Sequence, residues 1–279
     1  FFEELPRSVV ALDRIDEVLN LESSQHQHQG TKAISSEPST LRIENVEARY
    51  DDQLILDNIS FSVESGEVVA LVGPTGVGKS TIADLVGSLQ QPTSGNIYLS
   101  NTLLNDIKPS DRTKTLTIAF QESFLFADTV KENILLGRQF TDRELQEAIE
   151  IAQANDFISH LPDGLDTQLG ERGVTLSGGQ RQRVTLARAL IGNPQIIFLD
   201  DSTSSVDPVI EKRILDGLRT RKNISLVIVA HRLSTIKLAD RVIFLNNGVI
   251  EGTGSHQELM RLEAYASLAK AYEKAGVDS

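Results

Sequence analysis

Apolar and polar positions alternate from Leu41 onward, through "LRIENVEARY" and "NISFSVESGEVVALVG", where Ile59, Phe61 and Val63 fall on one side. A period of two predicts strands of an antiparallel sheet with one face in water. The alternation gives way to the apolar run Val68 to Val72, which predicts a strand covered on both faces. From about Thr129 to Leu190 the spacing is helical, as in "DRELQEAIEIAQANDFISHL" with Leu145, Ile149, Ala152 and Ile158. That stretch predicts a helical insertion. After Pro194 the segments "QIIFLD", "EKRILDGLR", "SLVIVA" and "STIKLA" read as strand, helix, strand, helix, the pattern of a parallel sheet with helices over it. "RVIFLNNGVIEGTG" predicts a hairpin turning at Asn247-Gly248, with a last helix from about His256 to Ala275.

The expected fold class is α/β, with a parallel sheet, an antiparallel β subdomain and a helical subdomain over residues 122–190, all within a domain spanning 41–279. Ahead of it, Val9, Leu12, Ile15, Val18 and Leu19 sit at helical spacing with acids between them. They predict an amphipathic helix over residues 1–21. Residues 22–40, with Gly30 and Pro38 and no periodic apolar positions, read as a flexible linker. His26 and His28 within it have no acidic or further histidine neighbours and read as solvated side chains. The start is neither led by methionine nor a signal peptide, so the chain reads as a fragment whose first helix was attached to something upstream.

Composition narrows the chemistry. Among 279 residues, 39 acids against 27 bases give a net charge of -12, a sign that repels phosphodiester backbones and anionic headgroups. Nucleic acid is thereby an unexpected partner. The chain has no cysteine, which removes disulfides, thiolate catalysis and cysteine metal clusters and suits a reducing compartment. No apolar run approaches the roughly 20 residues that cross a bilayer.

"GPTGVGKST", from Gly73 through Pro74, Thr75, Gly76, Val77, Gly78, Lys79 and Ser80 to Thr81, follows the apolar run and precedes the helical pattern "IADLVGSL". Strand, glycine-rich loop and helix start together place backbone N–H groups and a positive helix end around phosphates. In such a loop the lysine adds charge at the β and γ phosphates of a nucleotide such as ATP, and the serine hydroxyl binds Mg²⁺. "QIIFLD" carries Asp200 to the carboxyl edge of the sheet, where a metal-side acid belongs. "LSGGQ", with Ser177, Gly178, Gly179 and Gln180, opens another helix whose apolar face is Val184, Ala187, Leu190 and Ile191. It reads as a second anion grip. One nucleotide has no use for two such grips, so this one is expected to serve a nucleotide held by another subunit.

These motifs, with "SSVD" after Asp200 and His231 closing "SLVIVAH", occur in the order and spacing of an ATP-binding cassette (ABC) transporter nucleotide-binding domain. The resemblance covers residues 41 to about 270, and "RIDEVLN" with the linker resembles the end of the last transmembrane helix of an exporter half-transporter. It implies the P-loop NTPase fold of an ABC ATPase, ATP and Mg²⁺ as ligands, and a place on the cytoplasmic face of the cell membrane. It further implies a second nucleotide-binding domain and the chain's own transmembrane domain as partners. By resemblance Tyr50 stacks on adenine, Gln121 reaches Mg²⁺ and the attacking water, and His231 holds the γ-phosphate. Leu169 to Gly173 ("LGERG") contacts the partner's coupling elements, and Asp207 lies in a loop crossing the dimer interface.

The family's acid after Asp200 is glutamate, and this chain has Asp201. Aspartate is one C–C bond shorter, about 1.5 Å. A misplacement of about 1 Å in a positioned group costs on the order of 10²-fold, or about 2.7 kcal/mol of barrier. Asp201 is therefore expected to support slow hydrolysis, and an impaired acid beside an intact "LSGGQ" resembles one half of a heterodimeric exporter. Two other readings stay open from sequence: an ATP-gated dimerisation module without hydrolysis, and a homodimeric exporter that tolerates aspartate.

Overall fold

Strands β1 (Leu41–Tyr50) and β2 (Gln53–Val63) pair antiparallel, from Leu41 opposite Val63 to Tyr50 opposite Gln53. Their coordinates belong to a computed structural model that describes residues 30–34, 39–221 and 224–277. The expected helix at 1–21 and the histidines 26 and 28 lie outside the described residues. Residues 30–34 of the expected linker are tied down: Lys32 N donates to Asp106 O at 2.9 Å, Lys32 O accepts from Lys108 N at 2.9 Å, and its ammonium meets the Asp106 carboxylate at 2.8 Å.

Strand β3 (Val68–Val72) leads into helix α1 (Lys79–Val86). Strands β4 (Ser94–Leu99) and β5 (Thr102–Leu103) then return to the first sheet, giving the order β2-β1-β4-β5. Helix α2 (Pro109–Thr115) runs into β6 (Leu116–Ala119). The helical part follows with α3 (Val130–Leu135), α4 (Asp142–Ile151), α5 (Asn155–Ser159) and α6 (Gly178–Leu190). It is less continuous than its apolar spacing suggests. Gln153 takes a left-handed φ of 53° after α4, and the Ala154 N–H folds back to Ile149 O at 2.9 Å, so the pattern from Leu145 to Ile158 spans two helices. Residues 160–177 hold only two short 3₁₀ turns.

Strand β7 (Ile196–Asp200), helix α7 (Pro208–Arg219), strand β8 (Ser225–Val229), helix α8 (Leu233–Leu238) and strands β9 (Arg241–Asn246) and β10 (Val249–Gly254) complete a six-stranded sheet. Its order is β10-β9-β3-β8-β7-β6. Every pair is parallel except β9 with β10, which turn at Asn247 (φ 48°) and Gly248 (φ 77°). Two left-handed residues in succession make the hairpin turn whose twist suits the strands. The expected last helix is instead two, α9 (His256–Leu259) and α10 (Glu263–Val277). The first ends because the Met260 and Leu262 N–H groups turn back to His256 O and Leu259 O.

Successive residues of the central strands face opposite layers. Val69, Leu71, Ile196, Phe198, Val227 and Val229 pack toward α1 and the antiparallel sheet. Ile197, Leu199, Leu226 and Ile228 pack toward the helices from α3 to α7, and Ala70, Val72 and Phe244 toward α10. Covering both faces is why β3, β7 and β8 are buried at every residue and read as apolar runs. Their parallel pairing brings the carboxyl ends of β3, β6, β7 and β8 to one edge, the usual place for a ligand in such a sheet.

Candidate nucleotide site

The loop after β3 is shaped by residues that only glycine can be. Gly76 has φ 80° with nothing near its missing Cβ, and Gly78 has φ 105° with Leu56 Cδ2 2.6 Å from where a Cβ would stand. The second approach also sets the β1–β2 hairpin beside the loop. Gly78 begins α1 with no side chain capping the helix, so its first N–H groups stay open to an anion. Lys79 is only 6% exposed, and its Nζ donates to Gly73 O and Pro74 O, both at 2.8 Å. An ammonium has three protons; two tie the loop into a ring, which leaves one for a phosphate. Burial pulls the Lys79 pKa down, while the nearby carboxylates of Asp200 and Asp201 push it up.

Asp200 ends β7 at 4% exposure, and its Oδ1 is buried without a hydrogen-bond partner. Burial raises its pKa; the Ser80 hydroxyl opposes that, and Asp201 and Asp84 add to it. A buried carboxylate oxygen with no partner beside a serine hydroxyl fits a cation that arrives with phosphates. No group of three or more His, Cys, Asp or Glu that could cage a metal occurs among the described residues. Asp201 adopts a left-handed φ of 48°, a conformation aspartate tolerates better than longer acids. Gln121 Nε2 donates to Asp201 Oδ2 at 3.3 Å, so the structure brings Gln121, Asp200, Asp201, Ser80 and Lys79 together.

His231 follows β8. Burial lowers its pKa, as does Lys79, against the pull of Asp200. Next to it, Arg232 was given no role by sequence, yet it pairs with the buried Glu211 of α7 and donates to Val206 O at 3.0 Å and Ser204 O at 2.9 Å. Glu211 also accepts from Thr203 and Thr235 hydroxyls at 2.8 and 3.2 Å. This pair, with Glu211 buried and Arg232 partly exposed, ties the segment after Asp201 to the segment after β8. The neighbouring residue Tyr272 of α10 was equally unforeseen. With Asp201, His231 and Arg232 it lines a cavity of about 290 Å³.

Asp207 caps α7 by accepting from Val209 N at 2.8 Å and Ile210 N at 3.4 Å. Ser177 caps α6 in the same manner: its hydroxyl oxygen accepts from Gln180 N at 3.3 Å, and Gln180 Oε1 accepts from Ser177 N at 2.8 Å. Its hydroxyl proton is not consumed by this cap. Gln182 locks the same helix to the loop after Asp201, with Nε2 donating to Ser204 Oγ at 3.0 Å and Oε1 accepting from Ser205 N at 2.8 Å. Gly178 faces Ser205, and a Cβ on Gly179 would stand 2.6 Å from Ser205 O. Among the described residues, no hydrogen bond joins Ser177–Gln180 to Gly73–Thr81. Tyr50, at the end of β1, is 64% exposed. In the stretch 169–173, Leu169 is buried and its N–H donates to Asp128 O at 2.9 Å.

The chain is similar to known proteins along most of its length. A family model described as ABC transporter matches residues 56–204. A protein of Staphylococcus aureus, by name a multidrug export ATP-binding/permease protein, is 43% identical over 235 residues, which are 83% of this chain and 41% of that protein. One from Mycoplasma pneumoniae, by name an ABC transporter ATP-binding protein, is 40% identical over 270 residues, 95% of this chain and 42% of its own length. The solved structure of a bacterial Atm1-family ABC exporter with ATP bound matches with a TM-score of 0.84 at 34% identity, over 96% of this chain and 48% of that one. The chain thus spans less than half the length of each of these relatives.

Proposed function

Because this chain belongs to the ABC transporter family, we propose that it is the ATP-binding and ATP-hydrolysing domain of an exporter half-transporter, at the cytoplasmic face of the cell membrane. Its fold is the ABC ATPase fold, α/β with one antiparallel and one mainly parallel sheet. The carrying observation is Asp200, buried and unpartnered at Oδ1 beside Lys79 and Ser80, in front of an uncapped helix start. Gly73 to Thr81 wrap the phosphates, Tyr50 offers its exposed ring to adenine, and His231 holds the γ-phosphate. Ser80, Asp200 and Gln121 would hold Mg²⁺ brought by the nucleotide, and the ion would supply positive charge to the phosphates. Asp201 orients the attacking water and takes its proton as the γ-phosphoryl group leaves ADP.

Ser177, Gly178, Gly179 and Gln180 have no bond to this chain's own P-loop, which supports a head-to-tail pair of nucleotide-binding domains. We infer that the second domain belongs to a different half-transporter, whose site Ser177 completes, while this chain's own site is slow because Asp201 is short. No helix among the described residues is long and apolar enough to cross a membrane. The membrane part of the exporter docks beside Gln121, where Phe120, Phe124, Leu136, Arg138 and Arg188 line an open groove of about 460 Å³.

The test is the chain alone. It is expected to bind MgATP, stay mainly monomeric and turn over little, since each half-site lacks its complement. Brisk turnover linear in protein concentration would sink the two-domain reading. A second reading, an ATP-gated dimerisation module, is favoured by the Gln121 hydrogen bond that engages Asp201. Its signature is an absence of hydrolysis at this chain's site in the complete assembly.

A further inference from the structure

The last wall of the nucleotide site comes from α10. Tyr265, Leu268, Ala269 and Tyr272 recur at helical spacing and face the core beside β9. Tyr265 is fully buried, stands edge-on to Phe244 at 5.3 Å, and its hydroxyl meets His256 Nδ1 at 2.8 Å. That anchor determines where the stripe ends. Tyr272 Oη lies 3.3 Å from Gly73 O of the phosphate loop and 3.4 Å from His231 Nδ1, with its ring 5.9 Å from the imidazole at 68°.

One hydroxyl proton faces two acceptors. Gly73 O already accepts from Lys79 Nζ at 2.8 Å and keeps its second lone pair for the Tyr272 hydroxyl, whereas Tyr272 is the one hydrogen-bond partner of His231 Nδ1 among the described residues. Burial and Lys79 hold the imidazole pKa below its ordinary value, so near pH 7 the ring is neutral and bears one proton, and its neighbours decide which nitrogen carries it. A neutral histidine can donate to a phosphate through Nε2 only when Nδ1 is bare. Resting on the reading of His231 as the γ-phosphate donor, we propose that Tyr272 is a positioning residue whose hydroxyl donates to His231 Nδ1 and holds the imidazole in its Nε2–H form. The C-terminal helix thereby sets how the site tells ATP from ADP.

The test uses this chain with ¹⁵N-labelled histidine. There are five histidines, and His231→Ala assigns the relevant signals. In the wild type at neutral pH, the nitrogen shifts are expected to show a bare Nδ1 and a protonated Nε2. Tyr272→Phe keeps the ring against His231 and loses the hydroxyl; proton occupancy is expected to move toward Nδ1 without a change in melting temperature. Affinity for the non-hydrolysable Mg-AMPPNP should fall about three- to tenfold, the equivalent of one hydrogen bond, while that for MgADP stays unchanged. A wild-type Nδ1–H form, or an unchanged tautomer in Tyr272→Phe, overturns the proposal. If His231→Ala leaves the Mg-AMPPNP to MgADP affinity ratio intact, the γ-phosphate role fails, a result independent of the tautomer.

Discussion

Asp200 is a carboxylate that the fold buries before any cation reaches it. Burial raises its pKa, so the sign follows: above the folded value the native state carries an ionised group at a cost, and this cost fades as pH falls through the folded value and is gone by the unfolded value near 3.8. Asp200→Asn keeps the shape without the charge. In Mg²⁺-free buffer at neutral pH it should melt higher, by about 2–4 °C for each 1 kcal/mol relieved, and it should lose the Mg²⁺ dependence of ATP binding by calorimetry. Asp201 poses a different balance, since its φ of 48° suits a short polar side chain. Asp201→Glu gains the missing reach and incurs up to about 1–2 kcal/mol of backbone strain. Turnover at this site in the assembled exporter should rise toward the about 10²-fold attributed to misplacement while the melting temperature falls. Unchanged or lower turnover would place the defect elsewhere. The acid's identity was legible in sequence; its backbone conformation was not, because aspartate does not announce φ as glycine does.

At the scale of elements, helix ends decide most of what sequence showed and hid. Buried β3, β7 and β8 announced themselves because two covered faces require apolar residues at every position. The hairpin at Asn247-Gly248 was equally legible, since the turn needs those residues. The stop after α4 was not. A glutamine, Gln153, fills the left-handed position where glycine would have marked a C-terminus. Tyr272 belonged to a visible stripe, but no periodicity says which loop a stripe's last member will meet. The start of α6 has both kinds of information: "SGGQ" shows a capping box, and its serine is the residue proposed above to grip a second nucleotide. Ser177→Ala should therefore cost about 1 kcal/mol of stability through the lost cap, read as a lower midpoint in urea unfolding of the isolated chain, with MgATP affinity at its own P-loop unchanged. An unchanged midpoint would mean that the cap contributes nothing.

For the whole molecule, the proposed pair of composite sites implies an unequal response to mutation. Lys79→Ala should weaken ATP held on this chain's own site, proposed above to be the slow one, and the assembled exporter should then keep a substantial part of its turnover. Ser177→Arg puts a bulky cation where the partner's γ-phosphate must sit, and turnover at saturating ATP should collapse even after correction for any loss of folded protein by melting. The opposite ranking would mean that slow and fast sites have been exchanged. Sheet order has a further outcome, on the ribosome. Gly66 and Ser225 share a hydrogen bond across 159 residues of chain, and Val68 N reaches Asp240 across 172. The strand that precedes the phosphate loop is thus made more than 150 residues ahead of the parallel strands that flank it. Closing so long a loop precedes any reward from the contacts it allows. Until those strands are made, β3 is an apolar segment without its parallel partners, and the phosphate loop that follows it cannot yet be held in place.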